Sequence, residues 1–227
     1  MTVGDLQTLV LQRLGEDASK PVYYTGVEVI SALNEAQRIM VLLTLCLERT
    51  ETFPLSVGTA FYRPRTVLND WLLPLRVRLS GGARLRPARL EDLDALDSGW
   101  QARSGYPDRY CSLGFNLLAI NRQPNSPASL VVTYARTPTK MHALDDTPEV
   151  PAEYHQALAD YAINRLRMKE GGQEFTKTTP YGDRFLADCR KLGEFVRARN
   201  LAQGYDLLPF ELSRYDVSAA GRKQQNG

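Results

Sequence analysis

The sequence predicts an α+β protein: an antiparallel α-helical bundle made from both chain ends, a β-rich insertion between them, and an extended C-terminal tail. Three observations lead there. Apolar residues recur at helical spacing towards both ends of the chain. Between them lie most of the prolines, both tryptophans and a series of short β-type runs. After Gly204 come aromatics and leucines, then a polar end from Gly221 to Gly227. The expected division is 1–48 for the first helices, 49–148 for the insertion, 149–203 for the returning helices and 204–227 for the tail.

Leu6, Leu9, Val10 and Leu14 repeat at helical spacing before Gly15, which predicts a first helix over 3–14. Thr25 and Glu28 form a capping box, each side chain satisfying an orphan backbone donor. Beyond it Val29, Leu33, Ala36, Met40, Leu43 and Leu47 alternate steps of four and three, with Asn34, Glu35, Gln37 and Arg38 opposite. That pattern predicts one helix from about 26 to 48, amphipathic in its first half and buried all round in its second.

In the insertion, Leu75-Arg76-Val77-Arg78-Leu79 alternates apolar and basic residues as a half-buried strand does. Gly81-Gly82 and then Leu85-Arg86 predict the turn and return of a hairpin. Leu90 to Trp100 reads as a short acidic helix, and 109–112, 115–121 and 129–135 as three further strands. Helical periodicity resumes at Pro151, a residue favoured at the first helical position, with Tyr154, Leu158, Tyr161, Ala162 and Leu166 as the apolar stripe. Gly171-Gly172 ends or interrupts that helix. The last helix carries Phe185, Cys189, Leu192 and Val196 to about 203, with Pro180 limiting or kinking its start.

The 227 residues suffice for one good core. A net charge of +2, from 28 basic and 26 acidic residues, gives no general electrostatic warrant for coating DNA. Cys46, Cys111 and Cys189 lack any C-x-x-C spacing and are expected to be buried thiols. Met1 to Asp5 shows neither the basic nor the apolar region of a secretory leader. The apolar run Ile39 to Leu47 is far short of the roughly 20 residues of a membrane span, so no membrane partner is expected.

His142 and His155 stand in no metal-binding spacing. Glu91, Asp92, Asp94 and Asp97 suit the solvated face of a short helix better than a divalent-ion or acid–base site. No nucleotide-binding or nucleophile-elbow motif is present, so the reading is of a chain without cofactor, metal or catalytic constellation.

The arginines are more informative. Arg63, Arg65, Arg76, Arg78, Arg84, Arg86 and Arg89 share a stretch whose one acid is Asp70. Arg76 and Arg78 fall on one strand face, which Arg84 and Arg86 join across the hairpin. Such a stripe binds phosphate, RNA or an acidic protein surface, or is an exposed face balanced by the acids at 91–97 of the same or a neighbouring subunit. The tail, with Tyr205, Leu207, Leu208, Phe210 and Tyr215, is too aromatic for a disordered end. It either folds back on its own bundle or docks in a partner's groove.

Two segments carry a resemblance. The first is Trp100, Gly105-Tyr106-Pro107 and Tyr110, then Gly114, a strand, Pro124 and the strand Val131-Val132-Thr133-Tyr134. The second is Val150-Pro151, Tyr154-His155, Ala157-Leu158, Asp160-Tyr161-Ala162 and Arg165. In this order and spacing they resemble the head-to-tail connector (adaptor, or neck) proteins of tailed bacteriophages, over about residues 1–203. The resemblance implies a structural virion protein of the neck, assembled in the host cytoplasm. It implies a homo-oligomeric ring of twelve copies beneath the portal, meeting a tail or nozzle protein and lining the channel for packaged DNA without sequence readout. It also implies that the C-terminal segment reaches the portal, with no catalytic residue to carry over.

The residues themselves suit scaffold roles. Gly105 and Pro107 set a rigid turn before the strand of Tyr110, Trp100 anchors it, and Tyr154 and Tyr161 share a helix face behind Pro151. Two rival readings remain: a nucleic-acid-binding protein using the arginines of 63–89, and an enzyme such as a phage hydrolase using the 91–97 carboxylates.

Overall fold

In a computed structural model of the chain, the structure describes residues 1–169, 171 and 174–205, of which 174–178 are described by backbone alone. Helices and two sheets are both present, as an α+β protein requires. Helix α1 (Val3–Arg13) is opened by a capping box in which Thr2 and Asp5 exchange backbone and side-chain bonds. Gly15 then takes a left-handed φ of 81°, which favours glycine. Helix α2 (Gly26–Thr44) starts at the expected Thr25–Glu28 box.

Helix α2 ends four residues before the expected 48. Leu45 adopts a left-handed φ of 54°, and Glu48 already pairs with Ala135 in a sheet. The apolar spacing of Leu43 and Leu47 is real, but strand pairing outweighs it. Nor is the second half of α2 buried all round: Leu42 and Leu43 are 40% and 36% exposed. Asn34 and Gln37, expected on a solvated face, instead hold down the segment between the sheet and the returning helices. The Asn34 amide donates to the Met141 carbonyl and accepts from the Met141 N–H, both at 2.8 Å. Gln37 is fully buried, donating to Thr139 O at 3.2 Å and accepting from Glu149 N at 2.7 Å.

Strand β1 (Glu48–Leu55) was not foreseen, although its threonines favour a strand. It pairs antiparallel with β7 (Ala128–Arg136), which also takes β3 (Trp71–Leu79) on its other side. The order of this sheet is β1-β7-β3. A second sheet orders β2 (Phe61–Tyr62), β6 (Leu117–Ile120), β5 (Arg109–Leu113) and β4 (Arg86–Pro87). The expected hairpin forms only in part: Arg78 bridges Arg84 around Gly81, and Arg86 then leaves to pair in parallel with Arg109. Helix α3 (Leu90–Leu96) is shorter than expected, because Asp97 is extended and Trp100–Ala102 form a separate 3-10 turn.

Pro151 stands before a 3-10 turn, Ala152–Tyr154, and helix α4 (His155–Arg167) begins after it, one turn later than the proline suggests. Helix α5 (Glu174–Ala202) contains Pro180 inside it, so the proline does not limit the helix start. Helices α1, α2, α4 and α5 share one apolar core with Leu6, Leu33, Met40, Leu158, Ile163, Phe185 and Leu192. Phe53, Trp71, Val77, Tyr110, Leu130 and Tyr134 form a second core between the sheets.

Ion pairs tie the helices. Asp160, on the otherwise apolar face of α4, accepts from Arg13 at 2.9 Å and from Arg184 at 2.8 and 3.1 Å. On the surface, Glu28 meets Lys169 at 2.8 Å; this bond, with the Thr25 N–H and hydroxyl, lowers its carboxyl from 4.5 to about 2.

Two predictions follow from these contacts. Gln37→Ala strips a buried partner from Glu149 N–H and Thr139 O and lowers stability by about 2 kcal/mol in urea unfolding. The Glu28 contribution is full above its unfolded value of 4.5 and is lost as pH falls through about 2. Glu28→Gln therefore shows a smaller drop in melting temperature between pH 7 and pH 2 than the parent, and an equal drop would contradict that assignment.

Candidate interaction surface

The exposed side of the three-stranded sheet is built by register. Arg76 pairs with Thr133, which pairs with Thr50; one step along, Arg78 pairs with Val131 and Val131 with Thr52. Because side chains alternate along a strand, these residues share one face, and the buried Val77, Val132, Phe53 and Leu130 line the other. The Thr50 and Thr133 hydroxyls lie 2.9 Å apart. Tyr205 closes one end of this face, and with Thr50, Arg76, Arg78, Val131 and Thr133 it lines a pocket of about 330 Å³.

Tyr205 is held from the helical side. Its N–H donates to Asn200 O at 2.9 Å, and its hydroxyl lies 3.5 Å from Glu48, which Arg199 also meets at 3.2 Å. Burial, and then the Glu48 carboxylate, push the phenol above its ordinary value. So Tyr205 packs on its own chain, while Leu207, Leu208, Phe210 and Tyr215 lie outside the described residues.

The six predicted interface arginines divide. Among the described residues no carboxylate pairs with Arg76 or Arg78, and both are exposed. Arg84 sits beside them, its guanidinium 3.8 Å from where a side chain at Gly204 would begin. Arg86 belongs to the second sheet, not to this face. Arg63 precedes the 3-10 turn Pro64–Thr66 and Arg65 lies within it, its Nε donating to Trp71 O at 3.0 Å. Asp70, the acid of this stretch, is taken by Arg49 at 2.9 Å and by the Tyr134 hydroxyl at 2.8 Å.

Three of the four acids at 91–97 are engaged in the fold. Asp92 accepts from Arg89 N at 3.0 Å, Asp94 from the Trp100 indole at 2.8 Å, and Asp97 from Gly99 N at 3.0 Å and from Arg103. Glu91, Asp92 and Asp94 are exposed all the same, as the solvated face of a short helix requires. Trp100 is buried with Leu93, Cys111 and Ala119, and Phe61 lies 5.5 Å away between ring centroids. Gly105 takes a φ of 148°, and a Cβ there would press on Arg122 at 3.3 Å, so the turn requires glycine. Gly105 N donates to Gln123 O at 2.8 Å, and Pro107 and Tyr110 are buried behind it.

The other groups are structural too. His155 is buried, one ring nitrogen 3.0 Å from Val150 O and the other 3.3 Å from the Met1 amine. Tyr154 packs against the helical core and Tyr161 stacks 4.9 Å from Phe185. All three cysteines are free and buried, and burial pushes the Cys189 thiol up to about 12. Among the described residues no three His, Cys, Asp or Glu gather as metal ligands, and no helix is long and apolar enough to cross a membrane.

Sequence reasoning found Arg76 and Arg78 but missed Thr50, Thr133 and the Glu48–Arg199 pair. The alternation Thr50-Glu51-Thr52-Phe53 was the available strand signal. For Asp160 the signal was a carboxylate within an apolar helix stripe, which calls for a buried cationic partner.

The sequence profile described as SU10 adaptor protein matches residues 1–205. No curated protein matches the chain.

Because Asp94 holds the Trp100 indole, Asp94→Ala is expected to cost about 1–2 kcal/mol of stability and to weaken the near-ultraviolet circular dichroism of the tryptophans. A variant as stable as the parent would show that this bond contributes nothing.

Proposed function

We propose that this chain, which belongs to the SU10 adaptor protein family, a phage head-to-tail adaptor family, is one subunit of a closed ring beneath the portal. The ring joins capsid to tail and lines the channel through which packaged DNA passes without base readout. The observation that carries this reading is the family match across residues 1–205. Two features of the chain support it. Asp92, Asp94 and Asp97 brace its own backbone and Trp100, which leaves them poorly placed for acid–base chemistry. Its Arg76 and Arg78 are exposed on one sheet face and have no carboxylate partner among the described residues, as interface residues awaiting a partner do.

In this reading the helices of 1–48 and 149–203 form an antiparallel bundle in the ring wall, and the insertion 49–148 faces the tail side. Arg63, Arg65, Arg76, Arg78, Arg84 and Arg86 serve the subunit or tail-side interface. A ring that closes needs two different faces on each copy, and twelve copies is the number the resemblance implies. The partners are copies of itself, the portal, and a tail or nozzle protein. The tail 204–227 docks on the portal through Tyr205, Leu207, Leu208, Phe210 and Tyr215. The assembled protein resides in the virion neck after assembly in the host cytoplasm.

The experiment is co-assembly with the portal of the same phage, imaged by electron microscopy. A ring seated on the portal is the expected outcome, and no co-assembly under conditions where both proteins are folded would refute it. A chain ending at Gln203 should fold yet bind portal at least tenfold more weakly, and equal binding would remove the tail from the interface. The exposed Arg76 and Arg78 also favour a second reading, direct nucleic-acid binding. That reading requires duplex affinity that falls steeply with salt in the isolated protein.

A further inference from the structure

We propose that the exposed face of the three-stranded sheet is the docking surface for this chain's own residues 206–216, whose carboxylates pair with Arg76 and Arg78. The face presents two guanidinium groups two residues apart on β3, a spacing of about 6.6 Å along the strand. Beside them stand the Thr50 and Thr133 hydroxyls as hydrogen-bonding groups, with Val131 and the Tyr205 ring as apolar walls. Glu48, at the Tyr205 end, is engaged by Arg199 and Tyr205. Arg76 and Arg78 have no carboxylate partner among the described residues.

Residues 206–216 have the matching composition. Asp206, Glu211 and Asp216 outnumber Arg214, and Leu207, Leu208, Phe210, Leu212 and Tyr215 supply apolar surface. A phosphodiester backbone offers charge without that apolar surface, so an acidic, apolar peptide fits the pocket better. Connectivity selects which peptide. Tyr205 is itself a wall of the pocket, so the segment begins at the site. Glu211 lies six residues on, within a reach of about 20 Å, and tethering of this kind gives effective concentrations in the millimolar range. A second copy would have to exceed that concentration to compete.

The inference deepens the portal-docking role proposed for the tail and rests on that role for its consequence. The face holds the segment in the free subunit, and the portal must take it away. Arg76 and Arg78 then become available to a neighbouring subunit only after portal engagement, which orders the two steps of assembly.

The test is hydrogen exchange of the full-length protein, read by mass spectrometry on peptides covering 206–216. At low salt these amides should exchange about tenfold more slowly than in a free peptide of the same sequence. Arg76→Gln with Arg78→Gln, and separately Asp206→Asn with Glu211→Gln and Asp216→Asn, should each return them to the free rate. So should raising the salt to about 1 M, where screening acts over roughly 3 Å. Both variant sets alter exposed or terminal positions, and their melting temperatures report whether the fold is kept.

Free-peptide rates in the unaltered protein would overturn the inference, as would protection that survives loss of both arginines. Protection that rises with protein concentration would assign the occupant to a second copy instead. Duplex DNA bound through Arg76 and Arg78, with 206–216 unprotected, would assign the face to nucleic acid. Portal binding with an unprotected free tail would sink this inference alone. Protection without portal binding would sink the portal role alone.

Discussion

The relation between sheet and helices depends on one polar junction. Arg136, the last residue of β7, makes a two-pronged pair with Glu149 at 3.0 and 3.1 Å. Glu149 accepts from Thr139 N at 2.9 Å, and its own N–H goes to the buried Gln37 of α2. Gln37 returns a bond to Thr139 O. A closed set of bonds therefore joins the central strand, the connecting segment and the second helix. Burial raises the Glu149 carboxyl, yet the Arg136 and Thr139 bonds more than offset it, and the group stays below its ordinary value. An apolar contact at this point would tolerate sliding, whereas paired donors and acceptors fix a register. At the other end β1 leaves α2 after only Leu45, Cys46 and Leu47, so the sheet is held to the helices by both of its connections.

A similar economy governs the charges. Net charge is only +2, yet the carboxylates and guanidinium groups are not spread evenly. Asp160 is buried and meets the more exposed Arg13 and Arg184, Asp70 binds Arg49 and Tyr134, and Asp92, Asp94 and Asp97 cap backbone or hold Trp100. Acids so committed brace the fold and leave few free to neutralise Arg76 and Arg78. Removing the arginines would strand the buried Asp160 carboxylate where water solvates it poorly, so this cluster constrains geometry more than it adds stability. Rigid placement of surface groups suits an adaptor, which must present a fixed surface to other proteins.

Much of this was legible. The Thr25–Glu28 box, the strand 75–79, the turn at Gly105 and the strand 129–135 obey local rules of capping, alternation and backbone freedom, which a sequence displays directly. What was not legible depends on partners distant in sequence. Gln37 reads as a solvated helix residue until Glu149, 112 residues away, is placed against it. Leu47 continues a helical stripe until Ala135 draws Glu48 into a sheet. Arg86 belongs with Arg84 by sequence and with Arg109 by pairing. Periodicity sees the local preference in each case, and the long-range contact decides the outcome.

The candidate surface shows the same limit. Alternation along β3 put Arg76 and Arg78 on one side, but only the register of two neighbouring strands adds Thr50 and Thr133 to that side. Only the end of α5 brings Tyr205 across it, through Asn200, Arg199 and Glu48. The arginine stripe therefore lies beside the point where the C-terminal segment begins, a neighbourhood that unites the two features whose roles the sequence left open. A cationic face and an acidic, apolar segment joined at one residue influence each other before either meets another protein. On the docking proposed above, a partner of either one would compete with the other, because the covalent connection at Tyr205 keeps both at the same place.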